Sequence, residues 1–256
     1  DHDNTQLNEY NSNLDDDTVE EAWCFLPWDM AGRLSSLPPG DNVHDYFVDG
    51  TPVVISLRGT PKRSYVTFGL RRGGDKYYCL NVSDYTSPSF AWEIPNNFLG
   101  ADTRLTLGQS WCTPRFCTIK ASATDTTGTQ VLLYAGGYDT NQDNADPGAS
   151  DSRGKAVFAA VPGITGCTLS SQINFNAINY SAYMTYSIVD LNSFDHDSDG
   201  FEDTIYAGSL GGDLFVFHDR DGNGTWQARR LFHADNGGYT SRLKKFFNSP
   251  GVVQMT

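Results

Sequence analysis

The sequence predicts an all-β fold, a modified β-propeller of four-stranded antiparallel blades, with three blades and part of others inside this chain. Three observations carry that prediction. A group of four short strands recurs three times at a spacing of about 65 to 70 residues, the period of propeller blades with long loops. Glycine returns at matching places in each group: Gly69, Gly136 and Gly208 end the second strand, and Gly73-Gly74, Gly154 and Gly211-Gly212 precede the third. Finally, the chain is rich in Gly, Asp, Asn, Ser, Thr and aromatic residues and poor in long helical periodicity, which suits many short strands joined by turns.

Taken in order, residues 1–18 are polar and acidic and are expected to form an arm or linker ahead of a propeller domain over 19–256. Glu21–Pro27 reads as a strand, because Ala22-Trp23 matches Ala91-Trp92 of a later fourth strand and so supplies part of a preceding blade. Pro38-Pro39-Gly40 breaks whatever short helix the Trp28–Leu37 segment contains. The first unit then places strands at Pro52–Leu57, Tyr65–Gly69, Lys76–Val82 and Phe90–Ile94. The second places them at Trp111–Lys120, Val131–Gly136, Ala156–Val161 and Cys167–Phe175, and the third at Tyr186–Leu191, Thr204–Gly208, Asp213–Phe217 and Ala228–Phe232. Three blades and a fraction form an incomplete ring, since propellers have four to eight. Further blades are expected outside this chain or from another chain, and Ser249–Thr256 reads as the start of another element. The rival architecture is a twisted β-sandwich.

At 256 residues the chain suffices for one large all-β domain. A net charge of −13 and a pI near 4.6 argue against a nucleic-acid partner, which needs clustered Lys and Arg. No run approaches the roughly 18 apolar residues of a membrane span, so membrane insertion is not expected. Cys24, Cys79, Cys112, Cys117 and Cys167 show neither CxxC nor zinc spacing, which leaves open whether some pair or all sit as small apolar residues in strands.

The most specific chemistry lies in Asp195-His-Asp197-Ser-Asp199-Gly200-Phe201-Glu-Asp203. Carboxylates at relative positions one, three, five and nine, with glycine at six, are how a tight loop wraps a hard oxygen-seeking cation, here Ca²⁺. Asp195, Asp197 and Asp199 are the expected monodentate ligands, Phe201 offers its carbonyl, and Asp203 closes the sphere directly or through water. Position twelve is Tyr206 rather than Glu and the flanks read as strands, so this is an EF-hand-like loop set in a β-hairpin. A solvated acidic turn is the alternative. Asp219–Thr225 reads as a tight turn, and the acidic insertion Asp139–Asp151 as a mobile surface loop. Asn81, Asn179 and Asn223 each begin a glycan acceptor triplet, a short pattern that often occurs by chance.

Several of these stretches together resemble the C-terminal propeller of the PilY family of type IV pilus-associated proteins: Tyr46–Val54, Gly73–Tyr78, Ala91–Ile94, Leu107–Trp111 and Ile205–Phe215, with the acidic loop just ahead of the Tyr-Ala-Gly strand. The resemblance implies a quinoprotein-like propeller at the pilus tip or cell surface, outside the bacterial cell. It implies roles in pilus assembly, in calcium-dependent opposition to retraction, in surface attachment and in twitching motility, with minor pilins and a surface or host receptor as partners. It also implies Asp195, Asp197, Asp199, Phe201 and Asp203 as the metal set. The Arg-Gly-Asp motif of some members is absent, since Arg72-Gly-Gly-Asp75 carries an extra glycine, so integrin binding is not implied.

Catalysis is not expected. The sequence has no GxSxG elbow, HExxH or phosphate loop, and an incomplete ring supplies no convincing basic set for a quinone cofactor, so a quinone-dependent dehydrogenase is the least favoured reading. The other alternative is a structural subunit of an extracellular filament or surface layer, its missing blades supplied by homo-assembly.

Overall fold

The computed structural model describes residues 22–34, 45–146, 150–180, 183–234 and 243–253. The chain divides into two compact units, Asp1–Val43 and His44–Thr256. In the first, helix α1 (Trp28–Leu34) opens with Met30 donating from its backbone to the Pro27 carbonyl at 2.9 Å. Asp29 in its first turn and Arg33 in its last suit the helix dipole. Ala22–Pro27 forms no strand, which corrects the expected remnant of a preceding blade. A strand needs a neighbour for its hydrogen-bond ladder, and the described residues of this unit contain no second strand. The expected arm over 1–18 and the Pro38–Gly40 break lie outside the described residues.

The second unit is built of three four-stranded antiparallel sheets, as the repeat predicts. Blade 1 holds β1 (Val53–Leu57), β2 (Arg63–Gly69), β3 (Tyr77–Asn81) and β4 (Ser89–Ile94). Blade 2 holds β5 (Arg115–Ile119), β6 (Thr129–Ala135), β7 (Ala156–Pro162) and β8 (Cys167–Asn176). Blade 3 holds β9 (Ile188–Phe194), β10 (Thr204–Ser209), β11 (Asp213–His218) and β12 (Gln227–His233). Strand order within each sheet is the order in sequence. A register shift recurs between the third and fourth strands of every blade, at Cys79/Leu80, Phe158/Ala160 and Leu214/Phe215. One bulge at one place in three sheets is the mark of a true repeat and not of a sandwich.

Blade 2 lies between the other two, and its sequence shows it. Residues 131–135 of β6 and 156–160 of β7 are buried without alternation, because both faces of the sheet are covered. Aromatic pairs join the blades: Tyr77 of β3 meets Tyr134 of β6 at 4.6 Å between ring centres, and Phe175 of β8 meets Phe217 of β11 at 4.7 Å. Such pairs contribute about 0.5–1.5 kcal/mol beyond the area they bury. The repeated glycines mark where the chain crosses the end of a second strand. A Cβ on Gly69 would collide with the Ser110 carbonyl, and one on the equivalent Gly208 with the Phe246 side chain.

The two ends of the insertion expected to be a mobile surface loop are tied into the core, while residues 143–146 and 150 are exposed. Asp139, Gln142 and Asp151 are buried. The Asp139 carboxylate accepts from the backbone of Asn141 at 2.9 Å, of Ser152 at 2.6 Å and of Arg153 at 3.0 Å. Asp151 accepts from the Ser187 backbone at 2.8 Å, its hydroxyl at 2.7 Å and the Gln142 amide at 2.7 Å. These acids serve as fixed acceptors for backbone that leaves the sheets. All five cysteines are free thiols. Burial pushes the Cys79 and Cys112 thiols well above their ordinary range and Cys167 to about 12, so these cysteines are held neutral as small residues in or against the core.

Candidate metal centre

The three connections between first and second strands set the frame for the acidic loop. In blade 1, Arg58 directly follows β1 and reaches blade 2: its backbone donates to the Gln130 amide oxygen at 2.7 Å, and its guanidinium to the Thr118 hydroxyl at 3.3 Å and the Thr127 carbonyl. In blade 2, Lys120 directly follows β5 and reaches blade 3, where its ammonium pairs with Asp199. The residue in the same place after β9 is Asp195, the first of the acidic loop.

Between β9 and β10 the loop folds back on its own carboxylates. Asp195 accepts from the Asp199 backbone at 3.2 Å and from the Gly200 backbone at 2.8 Å, while Asp197 also accepts from Asp199 at 3.2 Å. Ser198 and Gly200 take left-handed conformations, with φ of 61° and 91°, which wind the loop tightly; glycine bears this without strain. Asp203 accepts from the His196 backbone at 3.2 Å and the Thr204 hydroxyl at 2.7 Å. As a result one carboxylate oxygen from each of Asp195, Asp197 and Asp203 lies within 4.8 Å of the others. Three hard anionic oxygens at that spacing, with no sulfur or imidazole among them, fit Ca²⁺ and suit a softer metal poorly.

Asp199 lies at the edge of this trio, beside Asp197 but outside the shared spacing. One of its oxygens pairs with Lys120, and the other accepts from the Phe201 backbone at 3.0 Å. The Lys120 hydrogen bond holds the Asp199 carboxyl below its usual range and raises the lysine. Burial acts the other way on Asp203 and on neighbouring Glu202, both raised. The Phe201 ring lies under the Lys120 ammonium, 5.1 Å from ring centre to nitrogen. The end of the loop is pinned on two sides, by the Glu202 backbone donating to the Thr118 carbonyl at 2.9 Å in blade 2 and by the Asp219 backbone donating to the Asp203 carbonyl at 2.8 Å.

Sequence reasoning assembled the acids and missed the cation. Lys120 lies 79 residues from Asp199, and its only advance signal is its place after a first strand, matching Arg58. Asp219–Thr225 is the tight turn expected. Buried Asp219 spends its oxygens on the backbone of Asn223 at 3.2 Å and Gly224 at 2.7 Å, leaving it a structural part of the wall behind the loop.

No family model matches the chain. It is 25% identical over 201 residues to the type IV pilus biogenesis factor PilY1 of Pseudomonas aeruginosa strain PAO1, a stretch covering 77% of this chain and 15% of that protein. A PilY1 homolog of Xylella fastidiosa is 25% identical over 223 residues, or 86% of this chain and 16% of that one. The chain therefore spans less than a fifth of the length of these relatives. Among solved structures, the C-terminal domain of Pseudomonas aeruginosa PilY1 superposes with a TM-score of 0.61 at 19% identity, covering 91% of this chain and 46% of that domain. The likeness to PilY proteins carried by the sequence motifs is borne out, and the fold is that propeller-like one. These relatives are named as biogenesis factors and not as enzymes.

Proposed function

We propose, from this kinship with the PilY1 pilus biogenesis factors, that the chain is a calcium-binding propeller segment of a type IV pilus-associated protein. It acts outside the cell, at the pilus tip or cell surface, in pilus assembly, control of retraction and surface attachment. Its partners on this reading are minor pilins and a surface or host receptor. The observation that carries the calcium part is the convergence of the Asp195, Asp197 and Asp203 carboxylates. Those three hold the ion, and Asp199 and the Phe201 carbonyl complete the oxygen set. The ion supplies charge neutralisation: it removes the mutual repulsion of acids crowded into one hairpin and so favours the ordered loop. Because the hairpin is bonded to both blade 2 and blade 3, its order is transmitted to the face between them.

Calorimetric titration with calcium and a melting scan test the reading. Binding heat in the wild type and a rise of several degrees in Tm at saturating calcium are expected, since a hundredfold excess over Kd is worth about 2.7 kcal/mol. Asp197→Ala is expected to abolish both, and in the bacterium that bears the protein to reduce surface pili and twitching. Absence of both heat and shift in the wild type sinks the calcium reading, and normal piliation without the protein sinks the pilus one.

A further inference from the structure

We infer that Lys120 is a tethered counter-ion of the loop, sharing Asp199 with the bound calcium, so that it braces the calcium-free hairpin against blade 2 and at the same time weakens calcium binding. The inference rests on the calcium reading above and adds to it a residue from another blade that sets the affinity.

Of the four loop aspartates expected as ligands, Asp199 alone lies outside the close trio, and its carboxylate, beside that of Asp197, meets the Lys120 ammonium. The lysine is held from behind: its carbonyl accepts from the Gln172 amide at 2.8 Å, and the same amide donates to the Gly224 carbonyl at 3.1 Å, fastening the lysine backbone to the turn after β11. Its ammonium rests over the Phe201 ring and lines one small cleft with Asp197, Asp199, Asp203 and Asp219. A positive charge fixed there offsets part of the repulsion among the acids before any ion arrives. A dication entering the same cleft then meets a like charge and a competitor for one carboxylate. Arg58, in the equivalent place in blade 1, makes the same reach to its neighbour through uncharged oxygens, so the bridging cation is a repeated device and only its acidic target in blade 3 is special.

The test is calorimetric titration of the chain with calcium, together with melting in chelator, for the wild type, Lys120→Gln, Lys120→Arg, Asp199→Asn and the double variant. Removing the charge in Lys120→Gln is expected to tighten calcium binding about tenfold, the size of effect a unit charge a few ångströms away exerts at a partly exposed site. The same variant is expected to lower Tm in chelator, while Lys120→Arg keeps both values near wild type. In chelator, adding Lys120→Gln to Asp199→Asn is expected to cost less Tm than Lys120→Gln costs alone, because the pair is already broken. A wild type that binds calcium and a Lys120→Gln chain that binds it equally or more weakly overturn this inference while leaving the calcium reading intact. Failure of every protein to take up calcium removes both.

Discussion

At the scale of single residues, aspartates in the connections differ in what they face, and two kinds stand out. Asp139, Asp151 and Asp219 face backbone amides and hydroxyls, and each is spent on holding a turn. Asp195, Asp197 and Asp203 face one another. The distinction was half legible in the sequence: alternation with glycine at the sixth place singled out the second kind, whereas Asp139 and Asp151 sit in a stretch with no such ladder and take their role from partners such as Ser187, supplied by a later connection. Replacing Asp151 with Ala leaves the buried Ser187 backbone and the Gln142 amide without acceptors, at about 1–3 kcal/mol for each group stranded. The urea midpoint is expected to fall accordingly with an unchanged slope.

Elements were read well wherever a strand had a pairing partner in its own sheet. All twelve strands among the described residues fall where the repeat placed them, most plainly Val131–Ala135, whose unbroken apolar run follows from the packing of blade 2 on both faces. The misreadings occur where composition imitates a strand and pairing is lacking. Ala22-Trp23 copies Ala91-Trp92 without a partner, and Trp111–Pro114, expected as the start of β5, is the segment beside the Gly69 turn, its neighbour Ser110 donating to the Gly74 carbonyl at 2.9 Å. Between elements, the connections after β2 and β6 are clasped by Arg72, which donates to both oxygens of Asp143 at 2.9 and 2.6 Å. Tyr138 donates to the same carboxylate at 2.6 Å. The arginine hydrogen bond depresses the Asp143 carboxyl, so the clasp stabilises the fold above the ordinary carboxylate range and is lost as pH falls through the lowered folded value. The pair is partly exposed, which limits it to about 1 kcal/mol. Asp143→Asn is expected to melt below wild type at neutral pH, with the gap closing as pH falls through the ordinary carboxylate range and below it.

Across the whole molecule, the three sheets stack in sequence, and the acidic hairpin sits at the seam between the second and third. What no local pattern disclosed was this position, since the contacts that create it join residues as distant as Thr118 and Glu202. Chelation is therefore expected to act regionally. Amide hydrogen exchange should quicken at Asp199, Gly200, Phe201 and Glu202 when calcium is withdrawn, and spread to the blade 2 partners around Thr118, with the Tyr77–Tyr134 side of blade 2 unchanged. Uniform quickening across all three blades would contradict that arrangement.

Strand order that follows the order of the chain has a consequence for biosynthesis. Every sheet is drawn from one uninterrupted run of residues, so a blade holds all its ladder partners as soon as its own codons have been translated. A nascent polypeptide leaving the ribosome thus carries at most one half-built sheet with a bare edge, which limits the time in which neighbouring copies can pair with it wrongly.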